Sequence, residues 1–167
     1  VITRAYTITD ACGNFTTIDH TIELNDITPP IASGVVLTQL EGCAAADAPT
    51  AETDVTGLET LGFTISDNCA ANADLVVSST DDVTGSCPIV ITRAYTITDA
   101  CGNFTTINHT IEINDITPPS ASGVVLTQLE GCAAADAPTA ETDVTGLETL
   151  GFTISDNCAA NADLVVS

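Results

Sequence analysis

An all-β architecture is predicted by three features of this sequence: short stretches in which apolar and polar residues alternate, polar turns of Asp, Asn and Gly between them, and no strand–helix–strand rhythm. The clearest stretch is spelled twice, at 2–17 and again at 91–106. Ile91, Tyr95 and Ile97 alternate with Thr92, Ala94, Thr96 and Thr98; Asp99-Ala-Cys-Gly-Asn103 interrupts, and a second alternation starts at Phe104. This is a β-hairpin. Its return strand carries Ile107, His109, Ile111 and Ile113 on the face of Tyr95 and Ile91, and turns Thr106, Asn108, Thr110 and Glu112 to water.

The organisation is tandem. Val1–Ser78 reappears as Val90–Ser167, a period of 89 residues, with three changes: Asp19 to Asn108, Leu24 to Ile113 and Ile31 to Ser120. Such a period suits a small self-contained domain rather than a solenoid turn. The paired prolines of Asn25-Asp-Ile-Thr-Pro-Pro30 and its copy at 114–119 end a strand and stiffen a short linker, which sets the phase. Residues 1–25 are then the C-terminal hairpin of one repeat, 26–114 a complete repeat, and 115–167 the N-terminal part of a further one.

Within the complete repeat a first strand is expected over Gly34–Leu40. The following segment lacks alternation, and Thr53 or Asp54 can cap a short helix through Leu58 and Leu61 that stops at Gly62. Strands at Phe63–Ser66 and Leu75–Thr80 come next, separated by the loop 67–74, and an acidic turn at 81–88 leads into the hairpin. Five or more short strands with polar turns predict an immunoglobulin-like β-sandwich, with a short helix between its first two strands.

Charge excludes several function classes. With no Lys, two Arg and 23 Asp+Glu, the formal charge is −21, which opposes nucleic acid and anionic membranes and favours cations. A hydrophobic fraction of 44% rules out a disordered acidic tail. No apolar run reaches the roughly 18 residues of a membrane span, so direct insertion of these residues is not expected.

Each complete repeat holds four cysteines, Cys43, Cys69, Cys87 and Cys101. Cys87 and Cys101 flank a strand of about ten residues, about 33 Å long, whereas bridged Cα atoms lie about 4.4–6.8 Å apart. In a sandwich Cys43 and Cys87 share one end and Cys69 and Cys101 the other, so the expected bonds are Cys43–Cys87 and Cys69–Cys101. The odd cysteines follow from incomplete repeats: Cys12 is expected to lack an upstream partner, and Cys132 and Cys158 downstream ones. This cysteine density is typical of secreted modules; reduced cytosolic thiols are the alternative, and the long spacings argue against zinc.

Ser86-Cys-Pro-Ile-Val-Ile-Thr-Arg-Ala-Tyr-Thr-Ile-Thr-Asp-Ala-Cys-Gly-Asn103, with Ile113-Asn-Asp-Ile-Thr-Pro-Pro119 and Gly57-Leu-Glu-Thr-Leu-Gly-Phe-Thr-Ile-Ser-Asp-Asn-Cys69, resembles the HYR-like, immunoglobulin-like tandem repeats of giant Bacteroidetes cell-surface adhesins of the gliding-motility (SprB-like) type. The resemblance spans the whole chain. It implies secretion by the type IX system, display as filaments on the bacterial outer-membrane surface, and a role in cell adhesion or gliding motility. The residues by themselves show a secreted bead. Two roles follow: a stalk whose partners are the neighbouring repeats, or repeats that themselves bind polysaccharide, calcium-dependent ligands or a solid substratum. The scarcity of aromatic residues favours the stalk, since sugar-binding faces stack on rings.

Calcium is the one candidate cofactor, set against simple turn chemistry. Asp26, Asp67, Asp99 and Asn103 are expected to gather at one end of the repeat, with Asp115 and Asp156 as equivalents of the first two in the next copy. Oxygen donors from several loops suit calcium, yet Asp and Asn beside Gly also form turns by bonding their own backbone. There is no EF-hand loop. Arg93 falls across from His109 on the inner face, where both read as packed strand residues, and Tyr95 as a core residue with its hydroxyl near a turn. The sequons at 103–105 and 108–110 read as polar strand positions. No nucleophile elbow, phosphate loop or metalloprotease helix occurs, so an enzyme is not expected.

Overall fold

The computed structural model describes residues 1–167. Strands β1 (Ile2–Thr9) and β2 (Phe15–Ile22) form an antiparallel hairpin in which Thr9 faces Phe15 and Arg4 faces His20. Asp10 closes its turn: Oδ1 accepts the N–H groups of Cys12 at 2.9 Å and Asn14 at 2.8 Å. Gly13 sits at φ 89°, a left-handed conformation that costs glycine least.

After Pro30 the chain forms β3 (Ile31–Ser33), where no strand was expected, and then β4 (Val36–Glu41), where the first strand was expected over Gly34–Leu40. The break is at Gly34, φ +126°, where a Cβ would meet the Gly62 carbonyl oxygen at 3.2 Å. The two pieces join different sheets. β3 pairs with β5 (Thr64–Ser66), and β4 lies at one edge of a four-stranded sheet ordered β4-β8-β7-β6.

Helix α1 (Val55–Leu61) separates β4 from β5. The Asp54 side chain caps it by accepting the Gly57 N–H at 2.8 Å, and Gly62, at φ 115°, ends it. Val55 and Leu58 are its buried face. Strand β6 (Val76–Gly85) is longer than the 75–80 read from the sequence, because the acidic 81–85 continues along a sheet edge where charged side chains keep their water. β7 (Ile89–Thr98) and β8 (Phe104–Asn114) follow, with burial alternating along both as the hairpin pattern requires. The remaining elements are β9 (Ser120–Ser122), paired with β10 (Thr153–Ser155), and α2 (Val144–Leu150), capped by Asp143 as α1 is by Asp54.

The chain is thus mostly β-strand in several sheets, with two short helices. No helix is long and apolar enough to cross a membrane. It divides into two compact units. The first holds 1–36, 51–80 and 93–109; the second holds 37–50, 81–92 and 110–167. In the first, Val55, Leu58, Phe63, Ile65, Leu75, Tyr95 and Ile97 form the core. Phe63 meets Tyr95 edge-on with ring centroids 6.5 Å apart, and the buried Tyr95 hydroxyl accepts the Glu52 N–H at 3.1 Å. In the second, Ile91, Ile111 and Ile113 pack with Leu40, Ala45, Ala48 and Ile89.

Candidate functional site

Two constellations stand out, one in each unit. In the first unit the linker residue Asp26, the loop residue Asp67 and the hairpin-turn residue Asp99 bring carboxylate oxygens within 4.8 Å of one another. Each is held by an Asx-type turn of its own segment. Asp26 Oδ1 accepts the Thr28 N–H at 3.1 Å; Asp67 Oδ1 accepts those of Cys69 at 2.9 Å and Ala70 at 2.7 Å; Asp99 Oδ1 accepts those of Cys101 at 2.9 Å and Asn103 at 2.8 Å. The second oxygen of Asp67 is buried and meets no hydrogen-bond donor. Burial pushes the Asp99 carboxyl up, but the Asn103 side chain and the backbone N–H groups of Asn103, Cys101 and Gly102 outweigh it and hold the group below the usual carboxylate range.

Asn103 lies beside the three aspartates. Its amide nitrogen donates to Asp99 Oδ2 at 2.7 Å and to the Asp26 carbonyl oxygen at 3.2 Å, so it ties hairpin turn to linker. The three aspartates fit a divalent cation. Oxygens on opposite sides of a calcium ion bonded at about 2.3–2.6 Å lie about 5 Å apart, so the spacing of these carboxylates is compatible with one.

In the second unit Glu41, Asp115 and Cys158 form the corresponding group. Asp115 and Asp156 repeat the turns of Asp26 and Asp67: Asp115 Oδ1 accepts the Thr117 N–H at 3.1 Å, and Asp156 Oδ1 accepts those of Cys158 at 2.9 Å and Ala159 at 2.7 Å. Glu41, at the end of β4, reaches into the following repeat. It accepts the Ile116 N–H at 3.0 Å, the Thr117 hydroxyl at 3.0 Å and the Asn157 amide at 3.2 Å. The Ile116 N–H, more than any other donor, holds its carboxyl below the ordinary range.

Beside this clamp Cys43 is bonded to Cys158, with Cα atoms 5.0 Å apart. This corrects the expected Cys43–Cys87 pair. The sequence argument sought partners only inside one repeat, whereas the end of β4 faces the Asp156–Asn161 loop of the next. Asp47 fixes the loop carrying Cys43 by accepting the N–H groups of Cys43 at 2.8 Å and Ala44 at 3.0 Å, which keeps its own carboxyl below the usual range. Cys87 is a free thiol lining the same cleft as Cys43 and Cys158. The expected Cys69–Cys101 pair is not formed either. Both are thiols lining one cleft with Asp26 and Asp99, and burial, then the charges of Asp26 and Asp67, push the Cys69 thiol up. Cys69 occupies the position in its repeat that Cys158 occupies in the next, so its thiol is the counterpart of a bonded sulfur.

Sequence reasoning missed Glu41 and Cys158 as partners of the joint. No spacing within one repeat reports what the end of β4 faces, so the sequence carried no signal for this pairing. Arg93 and His109 are buried strand residues, as read. No protein-family model, curated protein or solved structure matches the chain.

Proposed function

We propose that this chain is a stretch of tandem repeats from a secreted bacterial surface adhesin, each repeat an immunoglobulin-type unit that spaces and transmits force along a stalk. The carrying observation is the disulfide between consecutive repeats, Cys43–Cys158, reinforced by the Glu41 clamp. A bond that crosses from one repeat to the next holds the joint covalently against tension, and it belongs to an oxidising compartment such as the cell exterior. The acidic surface keeps such a stalk soluble. The partners in this reading are neighbouring repeats, with the outer-membrane surface as the site of display and no catalysis involved.

Calcium at each joint completes the reading, held by Asp26, Asp67 and Asp99 and, in the next copy, by Asp115 and Asp156. Its work is to cancel the repulsion among carboxylates brought together by linker, loop and turn. Two measurements test this reading. Scattering from arrays of two, four and six repeats is expected to show particle length growing with repeat number; a constant compact size would reject the stalk. Melting with calcium and with chelator is expected to differ, and identical curves would remove the ion. Binding of the chain to surface polysaccharide on a glycan panel would move the role from spacing to adhesion.

A further inference from the structure

In the first unit, neighbouring strands β6, β7 and β8 of the complete repeat turn one face to the core and the other to water. Val77, Tyr95, Ile97 and Ile107 belong to the core face, so the residues that alternate with them stand on the outer one. There β7 presents Ala94, Thr96 and Thr98, all half-buried. β6 adds the exposed Ser78 and Thr80, and β8 the exposed Phe104, Thr106 and Asn108. In the hairpin β1–β2, Thr7 faces Thr17 and Ala5 faces Asp19. The same turn bond recurs in β7–β8, where the Asp99 N–H donates to the Asn103 carbonyl at 3.0 Å as Asp10 does to Asn14 at 2.8 Å, and it sets Thr96 against Thr106 and Ala94 against Asn108.

Two properties separate this face from the rest of the surface. No residue of 76–80, 94–98 or 104–108 is charged, in a chain with 23 Asp+Glu and a formal charge of −21. It also carries the one exposed aromatic ring of the complete repeat: Phe63 and Tyr95 are in the core, whereas Phe104 is 60% exposed. A surface of hydroxyls, methyls and an amide gives up its water at far less cost than one of carboxylates. This face is therefore where so acidic a molecule meets an uncharged partner.

Area decides the kind of partner. Three strands about 4.8 Å apart, each contributing five residues of about 3.3 Å, span about 240 Å². A stable protein complex needs about 800 Å² per partner, which excludes a globular protein or a second copy held by this face alone. A polymer that makes the same small contact on many repeats adds those contacts together. We infer that the face binds an extended, uncharged polysaccharide of the β-linked glucan type, with the Phe104 ring against the C–H face of one sugar and Thr96, Thr106 and Asn108 bonding the sugar hydroxyls. Asn108 is one of the three positions at which the copies differ, and its counterpart is Asp19. A carboxylate there would have to lose its water on docking, so the copy with Asp19 is the weaker binder. This adds a ligand to the stalk without resting on it: particle length in scattering and retention by a glucan are independent results.

The test is co-sedimentation of the full chain with cellulose, an insoluble uncharged β-glucan, and with its carboxymethylated form as the acidic control. Wild type is expected to pellet with cellulose equally at low salt and at about 1 M, and not with the acidic form at low salt. Asn108→Asp, a residue the β2 copy carries at this place, is expected to weaken binding about tenfold with the melt unchanged, as is Phe104→Ala, while the uncharged Asn108→Gln retains binding. No pelleting with cellulose, pelleting that falls as salt rises, equal pelleting with the acidic form, or pelleting untouched by Asn108→Asp or by Phe104→Ala would overturn the inference.

Discussion

The middle repeat and the copies flanking it are nearly the same sequence in two surroundings, and the contrast separates what is locally encoded from what is not. Helices α1 and α2 are alike in both, because Asp54 and Asp143 cap them and Gly62 and Gly151 end them within a few residues. The Asx turns of Asp10 and Asp99, and of Asp67 and Asp156, are likewise duplicated. Val36–Glu41 is a strand and its copy at 125–130 is not. A strand needs a partner for its backbone groups, and that partner is about 70 residues away in sequence.

The sharpest way to break the comparison is to truncate the same side chain in both settings. Tyr95→Ala removes a fully buried ring and leaves the Glu52 N–H without its acceptor, so it is expected to cost about 3–5 kcal/mol in urea unfolding. Tyr6→Ala, on the exposed copy, should stay within about 0.5 kcal/mol in dilute solution. Equal effects would mean that the hairpins pack alike and that the burial contrast is not a property of the protein in solution.

The joint is the next target. Cys158→Ser opens the bond to Cys43, and the loss is expected to be about 2–4 kcal/mol, matched by wild type under reductant. Alkylation of the denatured, unreduced wild type should label five cysteines, rising to seven after reduction. Seven labels without reduction would remove the latch.

The same contrast explains how far the sequence could be read. Alternation placed Tyr95, Ile97, Ile111 and Ile113 inside, and the capping residues placed α1, because both signals lie within a few residues of what they determine. The gathering of Asp26, Asp67 and Asp99 was legible because the linker, the loop and the hairpin turn were each read as connections at the same end of the strands. The disulfide was not. Cys43 pairs across 115 residues with a loop of the following repeat, and no periodicity within one repeat reports what its end faces. Strand β3 was missed for a related reason, since its three residues owe their pairing to β5 in another segment.

A smaller effect tests whether local encoding is energetically the same in both surroundings. Asp54→Ala removes the acceptor for the Gly57 N–H beneath the buried Leu58 and is expected to cost about 1 kcal/mol of the main unfolding transition. Asp143→Ala removes the same cap from α2 and is expected to leave that transition in place, altering only amide-exchange protection around 144–150. A common shift would show that the two copies unfold as one unit.

The smallest expected effect is on acid stability, and here Asp99 is set against Asp10. Both carboxyls lie below the ordinary range because Asn103 or Asn14 and the turn backbone donate to them, but only Asp99 is buried, beside Asp26 and Asp67. A carboxyl whose folded pKa is depressed binds fewer protons folded than unfolded. Its contribution is therefore complete above the unfolded value of about 4 and is lost as pH falls through the lower folded value. Urea midpoints measured in chelator should accordingly drop as pH is lowered from about 5 to about 3. Asp99→Asn, which keeps an acceptor but cannot ionise, should flatten that drop, while Asp10→Asn should leave it unchanged because its turn lies outside the middle repeat. If Asp10→Asn flattened the profile equally, the acid response would belong to the turn motif itself and not to its burial against the linker and loop carboxylates.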